Sequence, residues 1–405
     1  MRNYYLVLLL LITNLFSYAQ QTLIKDSLKS EVLGQTRHLN LVIPDTVGMQ
    51  PGKKLNVVYV LDGDNAFVNL VASQISFVTD MESDKGVPAY LVVGIESENT
   101  RMDDFIAKGE YRVTGRADLF LDFMSNELFP YIEAHYNLNN HRVCVGHSLG
   151  GSLCMHVLCN RDSMFNAYML FSPNLIYEKH QLIRDFKTKN PDSLHKFVFI
   201  ANGDAGELEQ NYLKGVEELD SLITNSPQID NFKIIFEYMS DVNHSESVPV
   251  SFGKAVKEYL GYSDGTPKEE ERTALLSEED YAIAVKKIYD NRRLYLGYQF
   301  YPEVYPLYND WITVAGKNEQ PDKVIQLAKW AISIYQNDFS HYIMYLAMSE
   351  AYMDKDDVKT ALKACDDARR AVNLLRETVD PQTYEYALEE INTLVDEIKQ
   401  AEKQL

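Results

Sequence analysis

The chain has 405 residues, with 39 Lys and Arg against 59 Asp and Glu and a formal net charge of −20. That balance disfavours nucleic acid and anionic membrane surfaces as partners, and otherwise bears on solubility. The four cysteines (Cys144, Cys154, Cys159 and Cys365) form no C-x-x-C pair and no H-E-x-x-H occurs. They read as core thiols, with no disulfide framework and no metal site expected.

In chain order, the first segment has the form of a secretory leader. Arg2 supplies the positive start, Leu6 to Phe16 the apolar stretch, and Ser17-Tyr18-Ala19 a small-residue cleavage point. A signal peptide over 1–19 implies export to the periplasm or beyond. The apolar stretch is too short for a permanent span, so no membrane span is expected after cleavage. About 385 residues would then remain, enough for two domains.

From residue 37 to residue 262, strand-like and helix-like runs alternate. Arg37 to Ile43 and Lys54 to Leu61 read as strands, and Asp64-Asn65-Ala66-Phe67 opens a helix towards Thr79. Ala89 to Ile95 is a continuous apolar run of the kind found in buried parallel strands. Ala117 to Tyr136 has helical spacing, with Phe120, Phe123, Leu128, Phe129 and Ile132 on one face. Further strands are expected at Arg142 to Val145, Tyr168 to Ser172, Lys196 to Ala201 and Lys233 to Met239, with a closing helix from Val250 to Leu260. This order predicts an α/β domain over 20–265, a mostly parallel sheet with helices on both faces.

The turn-rich stretch Gly261 to Pro267 marks a boundary, and residues 266–405 read as all helical. Val324, Ala328 and Ala331 form one small-residue ladder, and Ala361, Cys365 and Ala368 a second, with Tyr345 and Tyr352 before it. The pattern fits a helix-pair repeat of tetratricopeptide type. The ladders are 37 residues apart rather than 34, Ser349 stands where that repeat has glycine, and Gln336 where it has its closing proline. A plain helical bundle is the alternative.

The chemistry concentrates at Gly146-His147-Ser148-Leu149-Gly150. This is a G-x-S-x-G sequence between an apolar run and a helix-compatible stretch, the setting of a nucleophile elbow. Gly146 and Gly150 keep bulk away from the sharp turn at Ser148, and Gly151 lets the helix approach the sheet. The amide of Leu149 would face a developing oxyanion. A serine needs a base, and the base an orienting acid. Of the later histidines, His156 lies within the elbow helix, His180 and His195 sit in a polar segment, and His341 falls in the helical part. His244 alone follows a predicted strand, and is the expected base. The acid should follow the strand at Lys196 to Ala201, where Asp204, Glu207 and Glu209 are available. Glu207 is favoured over the other two, which are then capping residues. A second oxyanion amide is expected from Gly63, Asp64 or Asn65.

A wider set of segments occurs in order: Tyr59 to Phe67, then Val92 to Ile95 with Arg101 and Asp104, then Glu127 to Ile132, the elbow, Phe171-Ser172-Pro173-Asn174, and Asn243-His244. Over roughly residues 30 to 262 the chain resembles the esterase D-like family of α/β-hydrolases, which includes siderophore (enterobactin-type) esterases and carbohydrate-active feruloyl and acetyl esterases. The resemblance implies an α/β-hydrolase fold with Ser148 as nucleophile, His244 as base and the loop from Leu61 to Asn65 as oxyanion contributor. The acid loop is longer here than in the family. The helical part resembles the tetratricopeptide-like extension of some bacterial members.

The expectation is an exported serine esterase, without cofactor, acting on a small-molecule or glycan ester through an acyl-enzyme. Thioester or peptide hydrolysis would use the same machinery. The contrary reading is a binding protein that recruits a protein partner through residues 266–405, with the first domain as scaffold. The intact Ser148, His244 and elbow glycines argue against it.

Overall fold

The computed structural model describes residues 22–44, 54–81, 89–97, 99–107, 115–189, 195–225, 232–264, 267–296 and 301–403. The leader segment 1–19 and Gly265-Thr266 of the expected boundary lie outside the described residues.

Eight strands form one sheet in the order β1-β2-β4-β3-β5-β6-β7-β8. They are β1 (Thr22–Ser30), β2 (Gln35–Ile43), β3 (Leu55–Leu61), β4 (Tyr90–Ile95), β5 (Leu138–His147), β6 (Ala167–Phe171), β7 (Lys196–Gly203) and β8 (Phe232–Met239). Strands β3 to β8 are mutually parallel, β2 runs antiparallel to β4, and β1 antiparallel to β2. β3, β4 and β6 are buried along their whole length, as continuous apolar runs demand when both faces are covered.

Helices α1 (Asn65–Met81), α2 (Ala117–Phe123, continuing through a π turn at Met124–Leu128 into Phe129–His135), α3 (Leu149–Asn160), α4 (Tyr177–Lys187), α5 (Glu207–Thr224) and α6 (Ser247–Asp264), with short helical turns at Arg101–Asp104 and Asp162–Met164, accompany the sheet. One face of the sheet presents Tyr59, Cys144, Tyr168 and Val198 to Phe129, Leu153, Ile183 and Val216 of α2 to α5. On the other face, Phe171 and Phe197 meet Phe252 and Tyr259 of α6 at ring-centroid distances of 5.7 and 5.4 Å. Each large side chain buried this way contributes about 1.5–3 kcal/mol of transfer free energy.

Three features depart from the sequence reading. The long helix at 117–136 carries a π turn, placed just ahead of Pro130. Proline lacks the amide for the usual bond and clashes with the preceding turn, and the wider turn accommodates it. Helix α4 was not anticipated, although Leu182, Ile183 and Phe186 give it a buried face. Strand β1 was also missed, because Lys25, Asp26 and Lys29 interrupt its apolar pattern. Such charges suit an edge strand. Its hairpin to β2 is held by a distant carboxylate: Glu127, in the π turn of α2, accepts from the amides of Glu31 and Val32 at 2.9 and 3.0 Å and from the Ser30 hydroxyl.

The sheet belongs to one compact unit, and a second unit gathers the helices between Pro267 and Arg292 and those from Tyr301 onward. The main helices here are α7 (Tyr281–Leu296), α8 (Val304–Leu307, a π turn Tyr308–Ile312, and Thr313–Lys317), α9 (Pro321–Ile334), α10 (Tyr342–Met353), α11 (Val358–Leu374) and α12 (Pro381–Glu402). Trp311 is fully buried and donates its indole N–H to the Tyr289 hydroxyl at 2.7 Å. The ladder residues Val324, Ala328, Ala331, Ala361, Cys365 and Ala368 are all buried. Ser349 is buried between α10 and α11, its hydroxyl donating to the Ala361 carbonyl at 2.9 Å. Among the described residues no helix is long and apolar enough to cross a membrane.

Candidate active site

Parallel strands deliver the loops that follow them to one edge of the sheet. Val60 of β3 pairs with Val145 of β5, so Gly63 and Ser148 each lie three residues beyond the same level. Ser148 sits between β5 and α3 with φ 57° and ψ −118°, a strained conformation for a residue with a Cβ. Its amide donates to the Phe171 carbonyl at 2.8 Å, and its carbonyl accepts from the Ser152 amide at 3.0 Å. The hydroxyl has no hydrogen-bond partner among the described residues.

The elbow glycines are not equivalent. A Cβ at Gly146 would lie 2.4 Å from the carbonyl carbon of Gly150, which is backbone and cannot swing aside. At Gly150 the nearest atom would be the Leu61 Cβ at 3.4 Å, an ordinary contact, so the expected steric need for glycine there is not met. Gly151 is tighter, with Pro173 Cβ at 3.1 Å. Accordingly, Gly146→Ala should lower stability by about 1–3 kcal/mol or more through overpacking. Gly150→Ala, inside a helix, should be neutral or stabilise by up to about 1 kcal/mol. Thermal melts of the two variants check this.

The loop after β3 changes the oxyanion assignment. The Gly63 amide donates to the Ile95 carbonyl at 2.9 Å and the Asp64 amide to the Asp62 carbonyl at 2.7 Å, so both are already used. Gly63 is required for another reason: a Cβ there would lie 2.2 Å from the Gly94 Cα. The Asp64 side chain caps α1, accepting from the Phe67 amide at 2.9 Å. Of the three expected donors, only the Asn65 amide, first in α1, has no acceptor among the described residues. The Leu149 amide, first in α3, is likewise without one. Both are leading amides of helices, where the dipole favours negative charge.

Asp62, at φ 55°, ties this loop to the elbow. Its carboxylate accepts from the Ser97 hydroxyl and from Arg101 Nε at 2.7 Å, while Arg101 Nη2 donates to the His147 carbonyl at 3.3 Å. Sequence reasoning gave Arg101 no role, and only its contacts reveal one.

His244 lies on the loop after β8, the edge strand. The loop folds back over the end of β7: the Ala205 amide donates to the Val242 carbonyl at 3.1 Å, and the Asp241 amide to Asp204 Oδ1 at 2.7 Å. A Cβ at Gly203 would be 2.0 Å from the Val242 oxygen, so glycine is needed for this approach. His244 Nδ1 lies 2.5 Å from Glu209 Oε1. The other oxygen, Oε2, accepts from the Ser172 hydroxyl at 2.7 Å, the Gly203 amide at 3.0 Å and Asn202 Nδ2 at 3.2 Å.

The carboxylate beside His244 is therefore Glu209, not the favoured Glu207. Glu207 is exposed at the first position of α5 and has no partner among the described residues, and Asp204 is exposed and holds Asp241. Glu209 sits two residues further, on the opposite face of the helix, fully buried. Helix phase explains the choice. Glu209 and Val216 are seven residues apart on the buried face, whereas Glu207 shares its face with Lys214. Burial alone would raise the Glu209 pKa, but the hydrogen bonds from His244, Ser172 and the Gly203 amide outweigh it and hold the group below the usual carboxylate range. Its charge favours a proton on Nδ1 of His244 and leaves Nε2 able to accept one. Among the described residues no three His, Cys, Asp or Glu stand together as a metal-binding group.

Comparison with known proteins bears on the sequence and the fold. Residues 30–217 match the sequence model of the family described as Esterase. Ferri-bacillibactin esterase BesA of Bacillus subtilis is 28% identical over 202 residues, which are 44% of this chain and 68% of that protein. An uncharacterised protein from Capnocytophaga ochracea has the same fold with a TM-score of 0.69 at 17% identity, covering 92% of this chain and 99% of that one. An IroE-like serine hydrolase from Shewanella oneidensis aligns with a TM-score of 0.56 at 20% identity, covering 75% and 96%.

Proposed function

We propose that this chain, an ester-hydrolysing enzyme of the serine-hydrolase type belonging to the esterase family, is an exported carboxylesterase working through a Ser148–His244–Glu209 triad. The observation that carries the triad is the 2.5 Å contact between His244 Nδ1 and the buried Glu209 carboxylate, on a loop folded back to the elbow. With substrate bound, the Ser148 oxygen attacks the ester carbonyl as its proton passes to His244 Nε2. The oxyanion of the tetrahedral intermediate is held by the amides of Leu149 and Asn65. As the intermediate collapses, the imidazolium protonates the departing alkoxide and an acyl-enzyme remains. His244 then deprotonates water, which releases the acid and restores Ser148. Glu209 stays charged throughout and stabilises the imidazolium.

The substrate is a siderophore-like or carbohydrate-like ester, the siderophore side being supported by the identity to the ferri-bacillibactin esterase. Export rests on Arg2, the apolar stretch Leu6 to Phe16 and the small-residue site at Ala19. The helical unit, from Pro267 onward, would serve partner recruitment through its tetratricopeptide-like ladders. A p-nitrophenyl acyl series beside an active-site-directed fluorophosphonate tests the enzymatic core. We expect turnover and a single phosphonylated peptide containing Ser148. Folded protein that neither hydrolyses the series nor takes up the label would overturn the proposal.

A further inference from the structure

We infer that His147 is a positioning residue whose ring N–H holds the loop of the base against the turn of the nucleophile. This rests on the roles of Ser148 and His244 proposed above. His147 is the last residue of β5, adjoining Ser148. Its Nε2 lies 2.8 Å from the backbone carbonyl of His244, and the two imidazole rings are 4.5 Å apart between centroids. A carbonyl can only accept, so Nε2 carries the proton.

His244 has a long way to travel in the fold. Its loop leaves β8, three places along the sheet from β5. The loop's other ties run to the end of β7 and the start of α5, through Asp204, Ala205 and Glu209. Among the described residues, the bond from His147 is the one hydrogen bond joining the elbow itself to this loop. Glu209 sets the tautomer and tilt of the imidazole, and His147 sets how far its backbone stands from Ser148. The elbow side is fixed in turn, since Arg101 binds both the His147 carbonyl and Asp62.

The charges around the pair suit this role. Burial, and then the neighbouring His244, lower the pKa of His147, and Arg101 adds to this; the bond to the His244 carbonyl and the charge of Asp62 oppose the shift without cancelling it. His147 therefore stays neutral to lower pH than an ordinary imidazole. It places a donor, and no second positive charge, beside the imidazolium that forms on His244. Among the described residues the one carboxylate hydrogen-bonded to the His244 ring is Glu209, at Nδ1.

The test uses the full chain and a p-nitrophenyl ester, comparing His147→Phe, His147→Gln and Ser148→Ala with wild type. Phenylalanine keeps the ring and removes the donor, whereas the glutamine amide nitrogen reaches about as far as Nε2. We expect His147→Phe to keep KM within about twofold and lose about 10- to 100-fold in kcat, the cost of a base displaced by a fraction of an ångström to an ångström. His147→Gln should recover most of that loss. Wild-type kcat in His147→Phe, with Ser148→Ala inactive, would overturn this inference alone. So would equal losses of kcat and melting temperature in both histidine variants, which mark a packing role. Retained activity in Ser148→Ala would remove the underlying assignment instead.

Discussion

Ser148→Ala lowers kcat by about a thousandfold to a millionfold, and adding His244→Ala to it takes away little more. In the proposed mechanism the two side chains act as one unit: without the nucleophile the base has no proton to receive, and without the base the hydroxyl stays protonated. Residual turnover would come from the oxyanion amides and substrate binding, which neither substitution touches. The fold should be indifferent to the first change. The Ser148 hydroxyl makes no hydrogen bond among the described residues, and alanine keeps the same Cβ at the same φ of 57°. His244→Ala is different, because it leaves the fully buried Glu209 carboxylate short of one donor. That variant should melt earlier, by the equivalent of about 1–3 kcal/mol. Initial rates on one ester with thermal melts of the three variants decide both points. A Ser148→Ala protein retaining a tenth of wild-type kcat would refute the assignment.

Glu209→Gln should cost about a thousandfold to ten-thousandfold in kcat, while Glu207→Gln, on an exposed residue, stays within about twofold. The size of the first effect follows from hydrogen-bond polarity. Three donors (the Ser172 hydroxyl, the Gly203 amide and Asn202 Nδ2) converge on Oε2. In the glutamine variant the remaining oxygen must stay with them, and the new NH2 then faces His244 Nδ1. A donor there forces Nδ1 to accept, so Nε2 takes the proton and the base is disabled. The hydrogen bonds from His244, Ser172 and the Gly203 amide bear on acid stability. Glu209 has a depressed folded pKa, so its contribution is complete above the unfolded carboxylate pKa of about 4.3 and is lost as pH falls through the lower folded value. Wild type and Glu209→Gln should therefore differ in melting temperature at neutral pH and converge in strong acid. A Glu207→Gln loss as large as that of Glu209→Gln would restore the sequence assignment.

Much of the fold was legible because buried parallel strands are continuous apolar runs, as at Leu55–Leu61 and Tyr90–Ile95, and such runs survive any reading of period. The elbow was legible because the close backbone approach at Gly146 demands a glycine two residues ahead of Ser148, between an apolar strand and a helix. What escaped reading is what depends on contacts distant in sequence. Strand β1 draws its order from Glu127, roughly a hundred residues away, and its own charges conceal it. The carboxylate beside His244 was misjudged because distance from the strand end was weighed and helix phase was not. Exposed Leu208 lies between exposed Glu207 and buried Glu209, so polarity along that turn is the reverse of the usual guide. The Gly63 and Asp64 amides were expected to be free because neither a bond to the neighbouring strand, as from Gly63 to the Ile95 carbonyl, nor a turn's internal bond, as from Asp64 to the Asp62 carbonyl, leaves a trace in residue identity.

The direction of β1 has a practical consequence. Two antiparallel steps, β1 to β2 and β2 to β4, return β1 to the polarity of the parallel strands, so Thr22 opposite Ile43 enters at the amino edge of the sheet and Ser30 finishes at the carboxyl edge. The Ser148 and His244 loops rise from that carboxyl edge. Anything joined ahead of Thr22, whether an affinity handle, a bead linker or a surface tether, is therefore attached at the opposite rim. Immobilisation through the amino-terminal side should therefore hold the sheet by the edge opposite the Ser148 and His244 loops, the arrangement wanted if the proposed site is to meet bulky soluble esters.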